Sequence, residues 1–403
     1  MKLLVVNAGS SSLKYQLFDT SDYSVKAKGI CERIGQEVGL LDHKNLVKET
    51  RTQKDLPIAT HTDAVRIVID ALTDKEIGVI ADMSEIEAVG HRIVHGGYYF
   101  SESMLLTEEV LEKLKLCYDY APLHTGAHIQ GIQGCLAVMA NVPQVLVFDT
   151  AFHQTMAPEA YMYGLSYDMY EEYGIRRYGM HGTSHRYVSA EMIKLMGGNP
   201  QGTKIITCHI GNGSSITAVK DGKCVDTSMG FTPLDGVIMG TRCGTIDPAI
   251  VPFIMEKKGY TPSEMDNYLN KQCGFAGISG VGSDSRDLQK AINEGNERAK
   301  LAFDMLSYQI KKYIGSYSAA MGGLDAIVFT AGIGEHTPYI RENALSDLEY
   351  LGVKLDKDRN TFGHSDVPVK LSADDSSVLV YMIPTNEELV IARDTAALVS
   401  KSN

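Results

Sequence analysis

The Lys2 to Val6 run is apolar and β-branched enough for a buried strand, and Leu13 to Phe18 alternates apolar with polar residues. Between them, Asn7-Ala8-Gly9-Ser10 has the composition of a tight turn, so the chain is expected to open on a hairpin. Leu3 to Ser12 finds a counterpart in Ile205 to Ser214 at a constant offset of 202 residues, with Ile216 to Val219 returning and Asp221-Gly222 turning again. Two halves that begin with the same supersecondary unit point to duplication. Further apolar runs end on polar residues or glycine: Glu87 to Val89 before Gly90-His91-Arg92, Gln144 to Phe148 before Asp149, and Asp325 to Thr330 before Ala331-Gly332-Ile333-Gly334. In open α/β sheets ligands gather beyond such strand ends. Helical spacing marks Thr62 to Leu72 and Ala299 to Met321, the latter closed by Gly322-Gly323. The segment after Pro384 reads as a terminal helix with Thr385 or Asn386 as its cap and acids in its first turn.

A chain of 403 residues exceeds what one core fills, so two domains are expected, with a boundary near residue 150 and a ligand site between them. A net charge of -12 argues against nucleic acid as the main partner. An anionic substrate would have to be met by locally placed arginines and lysines. No apolar run approaches the ~18 residues of a membrane span, and the first one ends at Asn7, so a cytoplasmic protein is expected. Seven cysteines without a C-x-x-C pair read as reduced, mostly buried small hydrophobes.

Candidate chemistry concentrates in the turns. At the first hairpin the donors would be turn amides, serine hydroxyls and the Lys14 ammonium, while the Asn7 carbonyl could hold a hydrated cation; an ordinary serine-rich turn has the same composition. Neither G-x-x-x-x-G-K-[ST] nor G-x-G-x-x-G occurs, so any phosphate cradle here differs from those helix-based ones. His91 to Gly97 sets Arg92 beside two histidines and a glycine pair, an anion clamp or an incidental surface loop. His124 and His128, and His181 and His185, stand at i, i+4. Each pair has a glycine between its members and lacks the glutamate of H-E-x-x-H, which favours anion binding or core packing over zinc. Arg242 lies in a glycine-flanked turn, where its fork suits phosphoryl oxygens. Gly332 to His336 reads as a turn leading into a helix at Thr337-Pro338.

Taken together, Asn7-Ala-Gly-Ser-Ser-Ser-Leu-Lys14, Gly90-His-Arg-Ile-Val-His-Gly-Gly97, Phe148-Asp-Thr-Ala-Phe-His153, His181-Gly-Thr-Ser-His185, His209-Ile-Gly-Asn-Gly-Ser214, Gly240-Thr-Arg-Cys-Gly-Thr245, Gly332-Ile-Gly-Glu-His336 and Pro384-Thr-Asn-Glu-Glu388 span nearly the whole chain. In this order they resemble the acetate kinase family, with its propionate and butyrate kinase relatives, in the superfamily of actin, hexokinase and the heat-shock ATPases. The resemblance implies an α/β protein of two duplicated ribonuclease-H-like (actin-like ATPase) domains around a central cleft. They would be 1–150 plus 385–403, and 151–384, the latter binding nucleotide. It also implies a homodimer, Mg²⁺ (or Mn²⁺), and reversible in-line phosphoryl transfer from ATP to acetate.

Carried over by position, Asn7 and Glu387 resemble metal-site residues, and Arg92, Asp149, His181 and Arg242 resemble the catalytic set. Lys14, the His209, Ile210, Gly211, Asn212 and Gly213 loop, Asp284, Ser285 and Arg286, and Gly332, Ile333, Gly334, Glu335 and His336 resemble nucleotide contacts. Arg92, Val94, Leu123, His124, Met180 and Pro233 resemble the acetate pocket. Two departures stand out. Met180 replaces a phenylalanine common in the family, which leaves propionate (or butyrate) as an alternative acceptor, since one methylene is worth only ~1–3 kcal/mol. The 282–286 segment carries a small serine where a larger apolar residue is common. A distant alternative is a nucleotide-binding sensor or filament protein of the same superfamily.

Overall fold

The computed structural model describes residues 1–361, 363 and 365–402, the side chains of Leu123 and of residue 402 excepted. The chain divides into two compact units, Met1–Ala151 with the C-terminal segment from Asn386, and Phe152–Thr385.

The first unit holds β1 (Lys2–Gly9), β2 (Ser12–Asp19), β3 (Ser24–Glu32), β4 (Gly39–Asn45), β5 (Thr50–Leu56), β6 (Ile86–Ile93), β7 (Met104–Leu105) and β8 (Gln144–Phe148), in the sheet order β5-β4-β3-β2-β1-β6-β8-β7. Strands β1 to β5 form an antiparallel meander, and β1, β6 and β8 run parallel. The second unit holds β9 (Lys204–Ile210), β10 (Ser214–Lys220), β11 (Lys223–Thr227), β12 (Ala326–Thr330), β13 (Val369–Lys370) and β14 (Leu379–Met382), in the order β11-β10-β9-β12-β14-β13. Each unit thus contains three antiparallel strands followed by two parallel ones: β3-β2-β1-β6-β8 and β11-β10-β9-β12-β14. The repeat is in register: β1 and β9 start at Lys2 and Lys204, β2 and β10 at Ser12 and Ser214, each 202 apart.

Three expectations shift. Asn7, Ala8 and Gly9 belong to β1, paired with Lys14, Leu13 and Ser12, so the turn is Ser10-Ser11 rather than 7–10. Strand β6 does not stop at Val89; pairing with β1 on one side and β8 on the other carries it through Gly90, His91 and Arg92 to Ile93. Gly332 to His336 is itself a short helix, Ala331–His336, rather than a turn. Its N–H of Ala331 and the Thr330 hydroxyl both reach the Glu335 carboxylate, at 2.8 and 3.4 Å, which closes the turn on itself. The turn at Asp221-Gly222 has φ of 54° and 75°, the left-handed pair that a two-residue hairpin with matched twist requires.

Strand alternation sorts the first core into two layers. Leu4, Val6 and Val89 pack with Ala64, Val65, Val68, Ile69 and Leu72 of the helix His61–Thr73. That helix begins on a capping box, Thr60 with Asp63. Leu3, Val5, Ala88, Val145 and Val147 face the other way, onto Ile391, Ala392, Ala396 and Val399 of the C-terminal helix Glu387–Ser402. Asn386 caps that helix, its Oδ1 accepting from the Leu389 N–H at 3.1 Å. In the second unit Ile206, Cys208 and Ile210 pack against the long helix Glu297–Met321, whereas Ile205 meets Val188 and Met192 of the helix Gly182–Leu195.

The terminal helix lies so close to β6 that a Cβ on Gly90 would stand 2.4 Å from Thr395 Oγ1 and 2.8 Å from Ile391 Cγ2. Gly90→Ala is therefore expected to destabilise the chain by about 1–3 kcal/mol through overpacking. The urea midpoint reads this, and Gly90→Ala/Thr395→Ala should recover part of the loss.

Candidate active site

In the first unit the site follows from strand periodicity. Val5 registers with Gly90 and Arg92 with Val147, so the face bearing Leu3, Val5, Ala88, Val145 and Val147 continues outward through Asn7, Arg92 and Asp149. That is the face covered by the terminal helix, whose first turn carries Glu387 and Glu388. Three strand ends and one helix start thereby bring the expected metal, acid and arginine positions to one side of one sheet.

Asp149 is 1 % exposed, and its backbone N–H donates to the Ile93 carbonyl at 2.8 Å. Its Oδ2 accepts from Arg92 Nε at 3.1 Å and Nη2 at 2.8 Å. Glu387 Oε2 lies 3.6 Å from Arg92 Nη1. Burial alone would lower the Arg92 pKa, but the attraction of Asp149 and then Glu387 outweighs it and raises the value. Asn7 and Lys14 pair across the hairpin and, with Glu388, line a concavity of about 400 Å³ that also holds Lys28 and Lys44.

A divalent ion fits this set. Glu387 Oε1 is buried without a hydrogen-bond partner among the described residues, one acceptor oxygen left open on a carboxylate whose other oxygen faces Arg92, on the face that bears Asn7 and Asp149. Among the described residues no group of three or more His, Cys, Asp or Glu is placed to hold an ion. The donor set suits a hard cation that takes one or two protein oxygens and completes its shell with water and phosphate.

The acetate-pocket positions of this unit lie just past β6 and on the helix Pro122–Val138. The Val94 N–H donates to His128 Nε2 at 3.2 Å, and the His124 ring lies 6.4 Å from that of His128. Leu123 sits on the same helix by its backbone; its side chain lies outside the described residues. Both i, i+4 positions are thus helical here, yet burial pushes His128 down to about 3, aided by His124 and Arg92, and its Nε2 is already an acceptor.

In the second unit His181 has φ 60° and precedes the helix Gly182–Leu195, so it is not the first helical partner of an i, i+4 pair. Its Nδ1 and Ser215 Oγ share a 2.8 Å hydrogen bond, and its ring stacks on His209 at 4.1 Å. Ser215 also meets His185 Nε2 at 2.7 Å, and His185 Nδ1 meets Thr207 at 2.7 Å. His209 Nδ1 bonds Ser184 Oγ, which accepts from Thr385 Oγ1, both at 2.8 Å. A Cβ at Gly213 would lie 3.4 Å from Arg242 Nη1 and 3.5 Å from His181 Nε2, so the glycine loop, the arginine and the histidine converge.

Arg242 Nη1 donates to the Pro233 carbonyl at 3.1 Å and is half-buried; no carboxylate pairs with it among the described residues. Burial lowers its pKa. The loop is held by backbone: Gly211 N–H to Gly213 O at 3.1 Å and Gly240 N–H to Asn212 O at 3.0 Å. A Cβ at Gly240 would meet Asn212 Oδ1, so a larger residue there would require the Asn212 side chain to turn away. Ile210 is fully buried at the end of β9, and Met180 is 2 % exposed with its carbonyl on His153 Nε2 at 3.0 Å.

Asp284 caps the helix Ser285–Asn293, and the exposed Arg286, through side chain and N–H, holds its pKa down to about 2. Around Ala331–His336, Gly332 is exposed with open space above it, while Ile333, Gly334 and Glu335 are buried and His336 is exposed.

With this geometry in place, comparison with known proteins settles the lineage. The sequence pattern of the Acetokinase family matches residues 2–393. The chain belongs to the acetokinase family. It is 53 % identical to the acetate kinase of Halothermothrix orenii over 400 residues, 99 % of this chain and 100 % of that one. It is also 53 % identical to the acetate kinase of Methanosarcina thermophila, over 99 % and 97 %. Among solved structures, Porphyromonas gingivalis acetate kinase superposes with a TM-score of 0.94 at 44 % identity over 99 % of each chain. A propionate kinase from Francisella tularensis superposes at 0.91, with 41 % identity over 98 % of this chain and 99 % of that one. The chain accordingly has the actin-like ATPase fold of that family.

Several supporting residues were not singled out by sequence reading. Ser215 stands just outside the His209–Ser214 segment, while Ser184, Thr385 and His153 lie, without a role of their own, inside segments that carry the family resemblance, and their partners are distant in sequence. Arg341 is fully buried and bonds the Gly334 and Glu335 carbonyls at 2.8 and 2.7 Å, Asn360 Oδ1 at 2.8 Å and Thr361 O at 3.0 Å. An arginine shortly after Thr337-Pro338 was the one available signal.

Beside Arg92, burial pushes His91 down to about 4, and its Nε2–H donates to Gln144 Oε1 at 2.7 Å. Unfolding lets this histidine return toward ~6.5, so between pH 6.5 and 4 the unfolded chain binds the extra proton. Stability is complete above 6.5 and falls as pH drops to 4. His91→Gln should reduce the slope of unfolding free energy against pH in that window by about one proton, measured by urea titration at several pH values.

Proposed function

We propose that this chain transfers the terminal phosphoryl group of ATP directly to acetate, giving acetyl phosphate and ADP, with Mg²⁺ (or Mn²⁺) as the divalent ion. The observation that carries this reading is Arg242, a half-buried cation with no carboxylate partner among the described residues, beside His181 and the Gly213 loop. Full-length identity above half to acetate kinases supports the choice of acceptor.

The chemistry assigns each group a task. Acetate has a pKa near that of a free glutamic acid, ~4.3, so it is ionised at neutral pH and needs no general base. Asp149, held in two hydrogen bonds by Arg92, serves to orient that arginine and the waters of a metal rather than to take a proton. The obstacle is repulsion between two anions. Arg92 binds the acetate carboxylate, Arg242 the transferring phosphoryl group, and His181 donates to the charge that spreads over its equatorial oxygens. Lys14, the His209 to Gly213 loop, Asp284 to Arg286 and Gly332 to His336 bind the nucleotide. Val94, Leu123, His124, Met180 and Pro233 are the positions that the family resemblance assigns to the acetate methyl. Asn7 and Glu387 would hold the divalent ion, which when bound neutralises phosphate charge. We extend the reading to a cytoplasmic homodimer; among the described residues no helix is long and apolar enough to cross a membrane.

Arg242→Ala should lower kcat by roughly 10²- to 10³-fold, about 2.7–4 kcal/mol, with little change in the KM for ATP. Near-normal kcat would refute the role. For Asp149→Asn, activity should collapse without loss of an ionisation from the acidic limb of the pH profile. Intact magnesium affinity together with a lost ionisation would instead identify a base. Acyl hydroxamate formation from acetate, propionate and butyrate, compared as kcat/KM, tests the acceptor; preference for propionate would shift the assignment to the longer acid.

A further inference from the structure

A cavity of about 470 Å³ lies in the first unit, away from the residues assigned above, between the start of the helix Glu108–Leu116 and the end of the helix Pro122–Val138. Its walls include Leu106, Leu111, Leu136, Val142 and Pro143, all partly or fully exposed. The one buried lining residue is Gln144, only 2 % exposed. Strand alternation turns it to this side: Val145 and Val147 face the terminal helix, so Gln144 faces the opposite layer, which holds Cys135 of the helix Pro122–Val138. Its Oε1 accepts from His91, but its Nε2 is buried with no hydrogen-bond partner among the described residues. A buried donor left open is costly, so an acceptor that reaches it is favoured.

The lining also limits what that acceptor belongs to. It contains no lysine, arginine or histidine, and Glu108 stands at the exposed rim, which disfavours anions. The volume suits a small ligand with an aliphatic body. We propose that this cavity is a binding site for a small, uncharged aliphatic molecule bearing one carbonyl, whose body packs on Leu106, Leu111 and Leu136 while its oxygen accepts from the Gln144 amide. The site is independent of the phosphoryl-transfer reading. The same amide that would meet the ligand holds the ring of His91, the residue before Arg92, so occupancy is felt at β6.

Pentanamide titrated into full-length protein, followed by NMR of labelled leucine methyls and the histidine rings, tests this. Expected are saturable shifts of Leu106, Leu111 and Leu136 together with the His91 ring. Leu136→Trp, which fills the cavity, should abolish them, and Gln144→Met should weaken affinity about tenfold by removing the donor. Thermal melts of the free variants establish that both are folded. If either variant does not fold, wild type decides: pentanamide must bind about tenfold tighter than pentane-1-thiol, which lacks the carbonyl. Non-saturable shifts, equal affinity for the two probes, or unchanged affinity in folded Gln144→Met would overturn the proposal.

Discussion

The first unit depends on one geometric constraint, the two-residue alternation of side chains along three neighbouring parallel strands. Because β1, β6 and β8 are in register, the positions that pack on the terminal helix inside the core become, two residues further on, Asn7, Arg92 and Asp149 at the sheet's end. A one-residue slip in any of these strands would turn a polar group into the layer that holds Leu4 and Val6. Apolar packing inside the core therefore sets the geometry of charge at its edge. The same contact fixes the helix start that supplies Glu387, and it leaves no room for a side chain at Gly90.

Electrostatics then follow from how few partners burial leaves. Asp149 is almost fully enclosed, and Arg92 meets it through two donors while also facing Glu387. Removing one member of such a group leaves an uncompensated charge, so the cluster is rigid as well as polar. Arg242 is the counterpart in the second unit, with carbonyl and thioether neighbours but no carboxylate among the described residues. One arginine is oriented by acids and the other is left open. Under the proposed function, the first would hold a carboxylate and the second receive a phosphoryl group.

Much of the fold was readable along the chain because its signals are local. The 202-residue repeat, the Asp221-Gly222 turn, the cap and acids of the last helix and the close of the long helix at Gly322 each rest on a few adjacent residues. The misplacements have one cause. Asn7 to Gly9 and Gly90 to Arg92 have turn-like composition, yet both segments are held extended by neighbouring strands that the local sequence does not contain. The tertiary ladder overrode local propensity. Ala331 to His336 misled in the opposite direction, since Glu335 and Arg341 supply the bonds that make its glycines helical.

By itself the sequence determined the class of the molecule: two related α/β halves, glycine turns at strand ends, and arginines and histidines in an order that resembles acyl kinases. These are properties of spacing and residue type, which survive without coordinates. Only the tertiary structure decided which charges are paired and which stand open. The Asp149 hydrogen bonds to Arg92 and the Ser215 and Ser184 links beneath His181 and His209 join positions 25 to 57 residues apart, and the open Glu387 and Gln144 atoms are defined by what burial leaves beside them. Their geometry exists only once the sheet register and the helices packed on it are set.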